Sequence, residues 1–173
     1  NISIINVEEA HPKFHARYDA NARSYIYQIS RRRTAFGKKY VWWIKDTLDA
    51  GLMEQAANKF RGLKDFRSFT DDAGEQTSTK AEVLHSAIYE FGDLIIFHVV
   101  GNHFLWKQVR RMTGVLVETG RGKLDPEKID GFFRTKSDEP AKLTAPPSGL
   151  FLERVYYRTE EIEYSAKPVI RLV

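Results

Sequence analysis

Alternating apolar and polar positions predict the strands of this chain. Tyr25, Tyr27 and Ile29 stand at every second position of an apolar stretch, a spacing that places them on one face of a strand. Farther along, Gly92-Asp93 separates two apolar stretches and is typical of a tight hairpin turn. The predicted strands cover residues 2–7, 18–29, 81–91, 94–100 and 150–157.

A spacing of four residues between apolar side chains predicts the first helix. The positions that repeat at this interval from Leu48 to Phe60 form one apolar stripe. Asp46 or Thr47 suits the N-cap, because a short oxygen-bearing side chain accepts hydrogen bonds from the first free amides of a helix. Gly62 supplies the expected stop signal.

Two more helices follow the hairpin. Asn102 suits the N-cap of a helix whose apolar stripe runs through residues 104–116 and which ends near Gly120 or Gly122. Asp125, followed by a proline and a glutamate, opens a short third helix. Polar or proline-rich composition predicts a loop and a linker in the remaining segments, residues 64–80 and 136–148.

The order of these elements predicts an α+β fold class. Strand, helix, two strands, helix and strand is the order of a ferredoxin-like unit, in which an antiparallel sheet carries helices on one face. RNA-recognition domains use sheets of this kind. We expect one domain over residues 1–158, followed by a tail over residues 159–173.

Composition narrows the class of protein without identifying its partner. The chain has 173 residues, 42% of them hydrophobic, which is enough to build a core. Its net charge of +4 suits a polyanion, although many proteins without such a partner share it. The absence of cysteine excludes disulfides and thiolate chemistry within this chain. Apolar runs are too short for a membrane span and the five histidines lack metal-ligand spacing, so we expect a cytoplasmic protein without a metal.

Two side chains and one basic cluster are candidates for function. Tyr25 can offer a flat ring to a nucleobase, but tyrosine also favours strands for packing reasons alone. Arg110 lies at the margin of an apolar helix face, where it needs an anionic partner if buried and otherwise extends its head into water. The basic cluster suits phosphate contacts and equally the solvated end of a hairpin; it comprises Arg31, Arg32, Arg33, Lys38 and Lys39.

The loop over residues 70–74 carries two neighbouring aspartates, Asp71 and Asp72, ahead of a glycine. Such a loop has the composition of an acidic catalytic turn. However, aspartate beside glycine is also the ordinary chemistry of loops, where the short side chain bonds its own backbone. We therefore assign no catalytic role to this loop.

Four short motifs are spread over residues 14–152. They are F-H-A-R with A-R-x-Y-x-Y at 14–27, D-F-x-S-F at 65–69, F-x-x-x-x-V-R-x-x-x-G at 104–114, and A-P-x-x-G-L-x-L at 145–152. In sequence and order these motifs are similar to those of the TruA family of tRNA pseudouridine synthases. Because four motifs agree in order over most of the chain, chance is a poor explanation.

The resemblance implies a pseudouridine-synthase fold and an isomerase that converts uridine to pseudouridine in the tRNA anticodon stem-loop, with no cofactor. Residues 1–158 would form the family's C-terminal domain. Tyr25 matches the tyrosine that stacks on the target base, and Arg110 matches the arginine that pairs with the catalytic aspartate. Arg17 and the basic cluster would contact RNA. The implied partners are tRNA and a second copy of the protein, as a homodimer.

One motif of the family has no counterpart in this chain. The nucleophilic aspartate lies in an R-T-D-x-G-x-H-A stretch that precedes F-H-A-R in the family. We expect the missing N-terminal domain of the same polypeptide to supply it, and the chain alone to be inactive. The alternative is a non-catalytic, ferredoxin-like RNA-binding module, which would present aromatic residues on an open sheet face and would not bury Arg110.

Overall fold

A six-stranded sheet forms the centre of the computed structural model, which describes residues 2–71, 78–158 and 160–171. The strands are β1 (Ala20–Ser30), β2 (Trp42–Trp43), β3 (Gly62–Asp65), β4 (Lys80–Phe91), β5 (Leu94–Gly101) and β6 (Leu150–Tyr157). The helices are α1 (Ala50–Asn58), α2 (Gln108–Gly120), α3 (Ile129–Arg134) and α4 (Glu139–Lys142). Short 3-10 turns occupy Arg67–Phe69 and Pro126–Lys128.

The topology contains the predicted ferredoxin-like unit. Its four strands lie in the order β6-β1-β5-β4, and every pairing among them is antiparallel. At the two sides, β3 extends the sheet beyond β4, while the short β2 runs parallel to the end of β1. Helices α1 and α2 pack together on one face. The predicted α+β class with helices on one face is therefore confirmed.

The main core lies between the sheet and the helices. Tyr27 and Ile29 on β1 and Phe97 on β5 point to this helix-side face and are fully buried. Met112 and Leu116 meet them from α2 and are equally buried. Strand β5 is buried along its whole length, which explains its nearly continuous apolar sequence.

The opposite face, which we call the tail-side face, is covered by residues 160–171. Gln28 is fully buried there, and its side-chain oxygen accepts hydrogen bonds from the backbone amides of Val169 at 2.6 Å and Ile170 at 3.2 Å. Ala166 packs into a small apolar cluster with Ile26 and its neighbours. The tail therefore closes this face of the sheet, while the domain boundary at residue 158 stays a prediction.

Two strand predictions differ from the structure. Residues 2–7 form no strand, and Ile2, Ile4, Ile5 and Val7 are at least 80% exposed, because no described segment pairs with them. The loop predicted over 64–80 instead contains the end of β3, a 3-10 turn and the first residue of β4. An edge strand with exposed side chains lacks the apolar alternation that would have indicated it.

The first helix begins later than predicted. Its N-cap is Asp49, whose side chain accepts a hydrogen bond from the Leu52 amide at 2.9 Å. Asp46 forms an ion pair with Arg121 at 2.8 Å instead of capping the helix. The helix ends at Asn58, and the predicted stop residue, Gly62, is the first residue of β3.

The second helix also begins later, at Gln108. The side chain of Asn102 caps a turn instead, accepting from the amides of His103 at 2.7 Å and Glu82 at 3.1 Å. The end of the helix at Gly120 and the short helix opened by Asp125 are confirmed. The predicted linker contains α4, which packs against α2.

A buried histidine lies on the tail-side face beneath the tail. His98 is fully buried, and its Nε2 atom lies 2.8 Å from the Ser24 hydroxyl. Burial, with a smaller contribution from the charge of neighbouring His85, lowers the pKa of His98 from 6.5 to about 4. The folded protein therefore holds this imidazole in its neutral form at pH 7.

We predict that acid destabilises the fold through His98. The pKa of His98 is lower in the folded state, so above pH 6.5 neither state is protonated there and the free energy of unfolding keeps its full value. As the pH falls from 6.5 to about 4, the unfolded chain binds a proton that the folded protein does not, and the free energy of unfolding decreases. The loss amounts to about 3 kcal/mol, at 1.36 kcal/mol per pKa unit. Urea unfolding of the wild type and of His98→Gln across this range measures it. We expect a shallower pH dependence in the variant; equal slopes would contradict the assignment.

Candidate active site

A cleft of about 730 Å³ opens on the helix-side face, where β1 meets the N-terminus of α2. Three of the sequence-predicted residues line it together: Arg17, Tyr25 and Arg110. Two further cations, Arg23 and Lys107, belong to the same lining. Among the described residues, the lining includes no carboxylate, so this cleft is a site of positive potential suited to an anion.

Tyr25 lies in the wall of the cleft with its ring half-buried. The strand places it beside Val99 of β5 and Leu152 of β6, and Phe104 meets its ring edge-on with the centroids 5.2 Å apart. Burial raises the pKa of Tyr25, and the charge of Arg23 partly opposes this increase. The phenol is therefore protonated at pH 7, with part of its ring open to a flat partner.

Arg110 is half-buried and is held by backbone atoms, not by an acid. Its Nε atom donates to the Ala145 carbonyl at 2.7 Å, and the Ala145 amide donates to the Arg110 carbonyl at 3.1 Å. Within the described residues, no hydrogen-bond acceptor lies on its two terminal Nη atoms. A guanidinium oriented in this way can still receive a carboxylate or phosphate through its outer edge.

Gly114 allows the segment that holds Arg110 to approach the helix. A Cβ atom at this position would lie 1.7 Å from the Leu143 carbonyl oxygen, so the residue must be glycine. The next residues continue along the cleft, where the hydroxyl of buried Tyr27 donates to the Pro146 carbonyl at 2.7 Å. The glycine and the A-P segment of the family motifs thus serve one purpose, the placement of Arg110.

Arg23 is a residue that the sequence reasoning missed. Its guanidinium donates to three backbone carbonyls: Arg17 at 2.6 Å, Ala20 at 3.0 Å and Asn102 at 2.6 Å. These bonds fasten the F-H-A-R loop to the loop before α2, both of which border the cleft. The sequence signal that could have indicated a role for Arg23 is its position in the A-R-x-Y-x-Y motif.

The loop before α2 contributes a second group of cleft residues. Lys107 has a φ of 62°, which makes it the one non-glycine residue with positive φ in the described part of the chain. Its ammonium lies 4.1 Å from the centroid of the Trp106 ring, and Trp106 is 59% exposed. Strain concentrated beside a cleft is typical of functional loops.

The neighbouring Arg111, not Arg110, is the deeply buried arginine of this helix. It forms an ion pair with Asp71 and donates to the Ser68 carbonyl at 3.4 Å. Lys107 also bonds Asp71, at 2.9 Å. The described aspartate of the 70–74 loop is therefore engaged in structural pairs, and the rest of that loop, residues 72–74, lies outside the described residues.

The D-F-x-S-F motif has a structural role as well. Asp65 accepts hydrogen bonds from Arg67 and from the Thr79 hydroxyl, and chiefly the Arg67 contact lowers its pKa to about 2. The Ser68 hydroxyl donates to the Phe132 carbonyl at 2.8 Å. Phe66 and Phe69 are fully buried among aromatic neighbours. The motif closes the core behind the cleft.

The basic cluster lies outside the cleft lining and is divided by its contacts. Arg31 forms an ion pair with Glu90, and Arg32 forms one with Asp93 at 3.4 Å, so both are tied to the β4–β5 hairpin. The other cations follow along the connection between β1 and β2: Arg33, Lys38 and Lys39. The phosphate-binding role of the whole cluster stays a prediction.

Two kinds of site are absent from the part of the chain that the structure describes. Its histidine, aspartate and glutamate side chains form no group of three or more that could hold a metal ion. None of its helices has the length and apolar character needed to cross a membrane.

Comparison with known proteins defines the class. Residues 56–158, more than half of the chain, match the family described as tRNA pseudouridine synthase. The chain therefore belongs to the tRNA pseudouridine synthase family.

Similarity to individual relatives extends over most of the chain. It is 38% identical over 159 residues to tRNA pseudouridine synthase A of Moorella thermoacetica, covering 91% of this chain and 65% of that protein. It is 36% identical over 157 residues to the protein of the same name from an Exiguobacterium species, covering 91% and 64%. The chain thus spans just under two thirds of the length of these relatives.

We predict that Gly114→Ala destabilises the protein by roughly 1–3 kcal/mol or more, because the added methyl group collides with the Leu143 backbone. Gly131→Ala in α3 is the matched control, since nothing lies within 4 Å of a Cβ there and alanine favours the helix. Chemical denaturation of both variants measures the difference. Equal stability of the two variants would show that the close approach at Gly114 is unimportant.

Proposed function

We propose that this chain forms one wall of the active site of a tRNA pseudouridine synthase that acts on the anticodon stem-loop. One observation supports it above the others. Arg110 is fixed by Ala145 with its outer edge free of described partners, in a cationic cleft beside the partly exposed side chain of Tyr25. The described lining of this cleft contains no carboxylate, and the outer edge of the Arg110 guanidinium is available to bind one.

The proposed reaction begins with the target uridine flipped out of its stack, at a cost of about a few kcal/mol. The uracil stacks on the open part of the Tyr25 ring. A carboxylate from outside this chain enters beside Arg110, whose guanidinium keeps it ionised and directs it to the ribose or the base. The C–N glycosidic bond breaks, the uracil turns, and a C–C bond forms in its place.

The isomerisation moves one proton from the base carbon to the ring nitrogen that is released from the glycosidic bond, and in this proposal Tyr25 carries out the transfer. Burial keeps the phenol protonated in the resting state, so Tyr25 can act as a base only after it loses its own proton. The charge of Arg23 favours the phenolate, because it lowers the pKa of this group. In this proposal Arg23 both fastens the loops and tunes Tyr25.

The source of the nucleophile is part of the proposal. The relatives are longer than this chain, and the family motif with the aspartate precedes F-H-A-R. We therefore assign the carboxylate to an N-terminal domain of the same polypeptide, and we extend the proposal to a cytoplasmic homodimer. Asp71 is a poor candidate, because Arg111 and Lys107 already hold it.

The alternative of a non-catalytic RNA-binding module finds less support in the geometry. Such a module exposes aromatic residues on the sheet face opposite its helices. Here that face carries Gln28 and His98, which are fully buried, beneath the tail. Tyr25 instead faces the helix side, at the entrance to α2.

We predict that Arg110→Ala lowers the rate of tritium release from uridine-labelled tRNA by about 100-fold or more. Loss of one partner of a buried ion pair costs about 3–5 kcal/mol, and 1.36 kcal/mol corresponds to a factor of ten in rate. The tritium-release rate of Arg110→Lys is expected to lie between those of the wild type and Arg110→Ala, since lysine keeps the charge and lacks the planar guanidinium. The exposed Arg134→Ala is the control for removal of an arginine. A wild-type rate in Arg110→Ala would exclude the proposed role.

We also predict that the isolated chain releases no tritium in a single-turnover assay, whereas the full-length gene product does. The reason is the missing carboxylate, since Tyr25 and Arg110 alone offer no nucleophile. Circular dichroism of the chain checks that it is folded under the assay conditions. Pseudouridine formation by the folded chain alone would overturn the assignment of the nucleophile.

A further inference from the structure

A second pocket, of about 690 Å³, lies beside the active-site cleft at the parallel edge of the sheet. Its floor is apolar and aromatic, formed by Val41, Trp42 and Trp43. Arg33 and Lys38 stand at its rim. None of its described lining residues is acidic, so the pocket combines flat apolar surface with positive charge.

The two charges at this rim differ from Arg31 and Arg32 of the basic cluster in their ion pairs. Arg31 and Arg32 pair with Glu90 and Asp93, and those carboxylates compete with any phosphate. Arg33 and Lys38, by contrast, form no ion pair with the residues that the structure describes. An RNA phosphate would therefore meet two exposed cations that no described carboxylate neutralises.

Trp43 supplies a stacking platform. Its side chain is 40% exposed, and the Arg33 guanidinium lies over the ring, 5.5 Å from its centroid. A guanidinium plane on an indole ring is a surface on which a nucleobase stacks, through π contact and cation–π attraction. Each stacked base of this kind contributes about 1–3 kcal/mol to binding, whatever its sequence.

The segment over residues 145–150 connects the pocket to the cleft. Ala145 accepts from Arg110 and Pro146 accepts from Tyr27, while Ser148 lines the pocket and Leu150 lines the cleft. Trp42 in the pocket also meets the Tyr27 ring edge-on, with the centroids 6.3 Å apart. A strand of RNA that leaves the cleft along residues 145–150 therefore arrives at the pocket.

We propose that this pocket binds one unpaired nucleotide of the RNA substrate next to the flipped uridine, with its base on Trp43 and its phosphate between Arg33 and Lys38. The assignment rests on the proposed function. Within the basic cluster it separates a pair that contacts RNA, Arg33 and Lys38, from a pair that fixes the hairpin, Arg31 and Arg32, and it gives no role to Lys39.

The test is tRNA affinity of the full-length gene product, measured by fluorescence anisotropy over a series of KCl concentrations. The variant Arg33→Ala/Lys38→Ala is expected to bind more weakly and to reduce the slope of log K against log[KCl] by roughly 0.7–0.9, the contribution of the one phosphate contact. Arg31→Ala/Arg32→Ala removes the same charge from the same connection and is expected to keep the wild-type slope. Equal changes in both double variants would overturn the division.

Stacking is tested separately through Trp43. Trp43→Ala is expected to weaken tRNA binding by about tenfold without changing the salt slope, and Trp43→Phe to restore most of the affinity. Thermal melting of each variant controls for folding. If Trp43→Ala and Arg33→Ala/Lys38→Ala bind tRNA like the wild type but melt at lower temperature, the pocket is covered by protein and the proposal is wrong.

The tritium-release assay on the wild-type gene product tests the proposed function independently of the pocket. Wild-type release together with unchanged binding in all the pocket variants would refute the pocket alone. Absence of release by the wild-type gene product would refute the function on which the pocket depends.

Discussion

Arg110 and Ala145 bond each other twice, once through the backbone and once through the guanidinium, and the geometry of the cleft depends on this exchange. It requires the backbone near Leu143 to touch α2, which Gly114 permits by having no side chain. Because Nε is used on Ala145, the outer edge of Arg110 faces the cleft. Pro146 of the same segment accepts a hydrogen bond from Tyr27 before the chain enters β6, so Arg110 is tied to the centre of the sheet.

The central strands β1 and β5 are largely buried on both faces, and β1 forms the base of the cleft. Helices cover one face and the tail covers the other, with Gln28 bonding the tail through its side-chain oxygen. Tyr25 stands on the helix-side face of a strand that is fixed along its length by two antiparallel neighbours. In the proposed function, a base that stacks on Tyr25 meets a ring held between two paired strands, as preorganised sites require.

Much of the architecture could be predicted from the sequence, because period and turn chemistry are local signals. The β4–β5 hairpin, the body of α2 and the strands beside Tyr25 follow from alternation, helical spacing and Gly92. The predictions that were wrong concern segments whose structure depends on distant partners. Residues 2–7 have strand-like composition and pair with no segment that the structure describes, and β3 is an edge strand with little alternation.

The functional residues divide in the same way, into those that the sequence indicates and those that depend on distant partners. The family motifs led to Tyr25 and Arg110, and the structure brings them to one cleft. Neither spacing nor composition could reveal that Arg111 is the buried neighbour, or that Arg23 spans three carbonyls from two loops. Those roles depend on where loops meet in space. The split of the basic cluster likewise depends on Glu90 and Asp93, some sixty residues away along the chain.

In the proposed function, the cleft between Tyr25 and Arg110 receives the target uridine. Photo-crosslinking of the full-length gene product to tRNA containing 4-thiouridine, followed by mass spectrometry of the peptides, tests it most directly. We expect cross-links in the peptides that carry Tyr25 and Trp106. Cross-links confined to peptides of the tail-side face, such as residues 160–171, would contradict it.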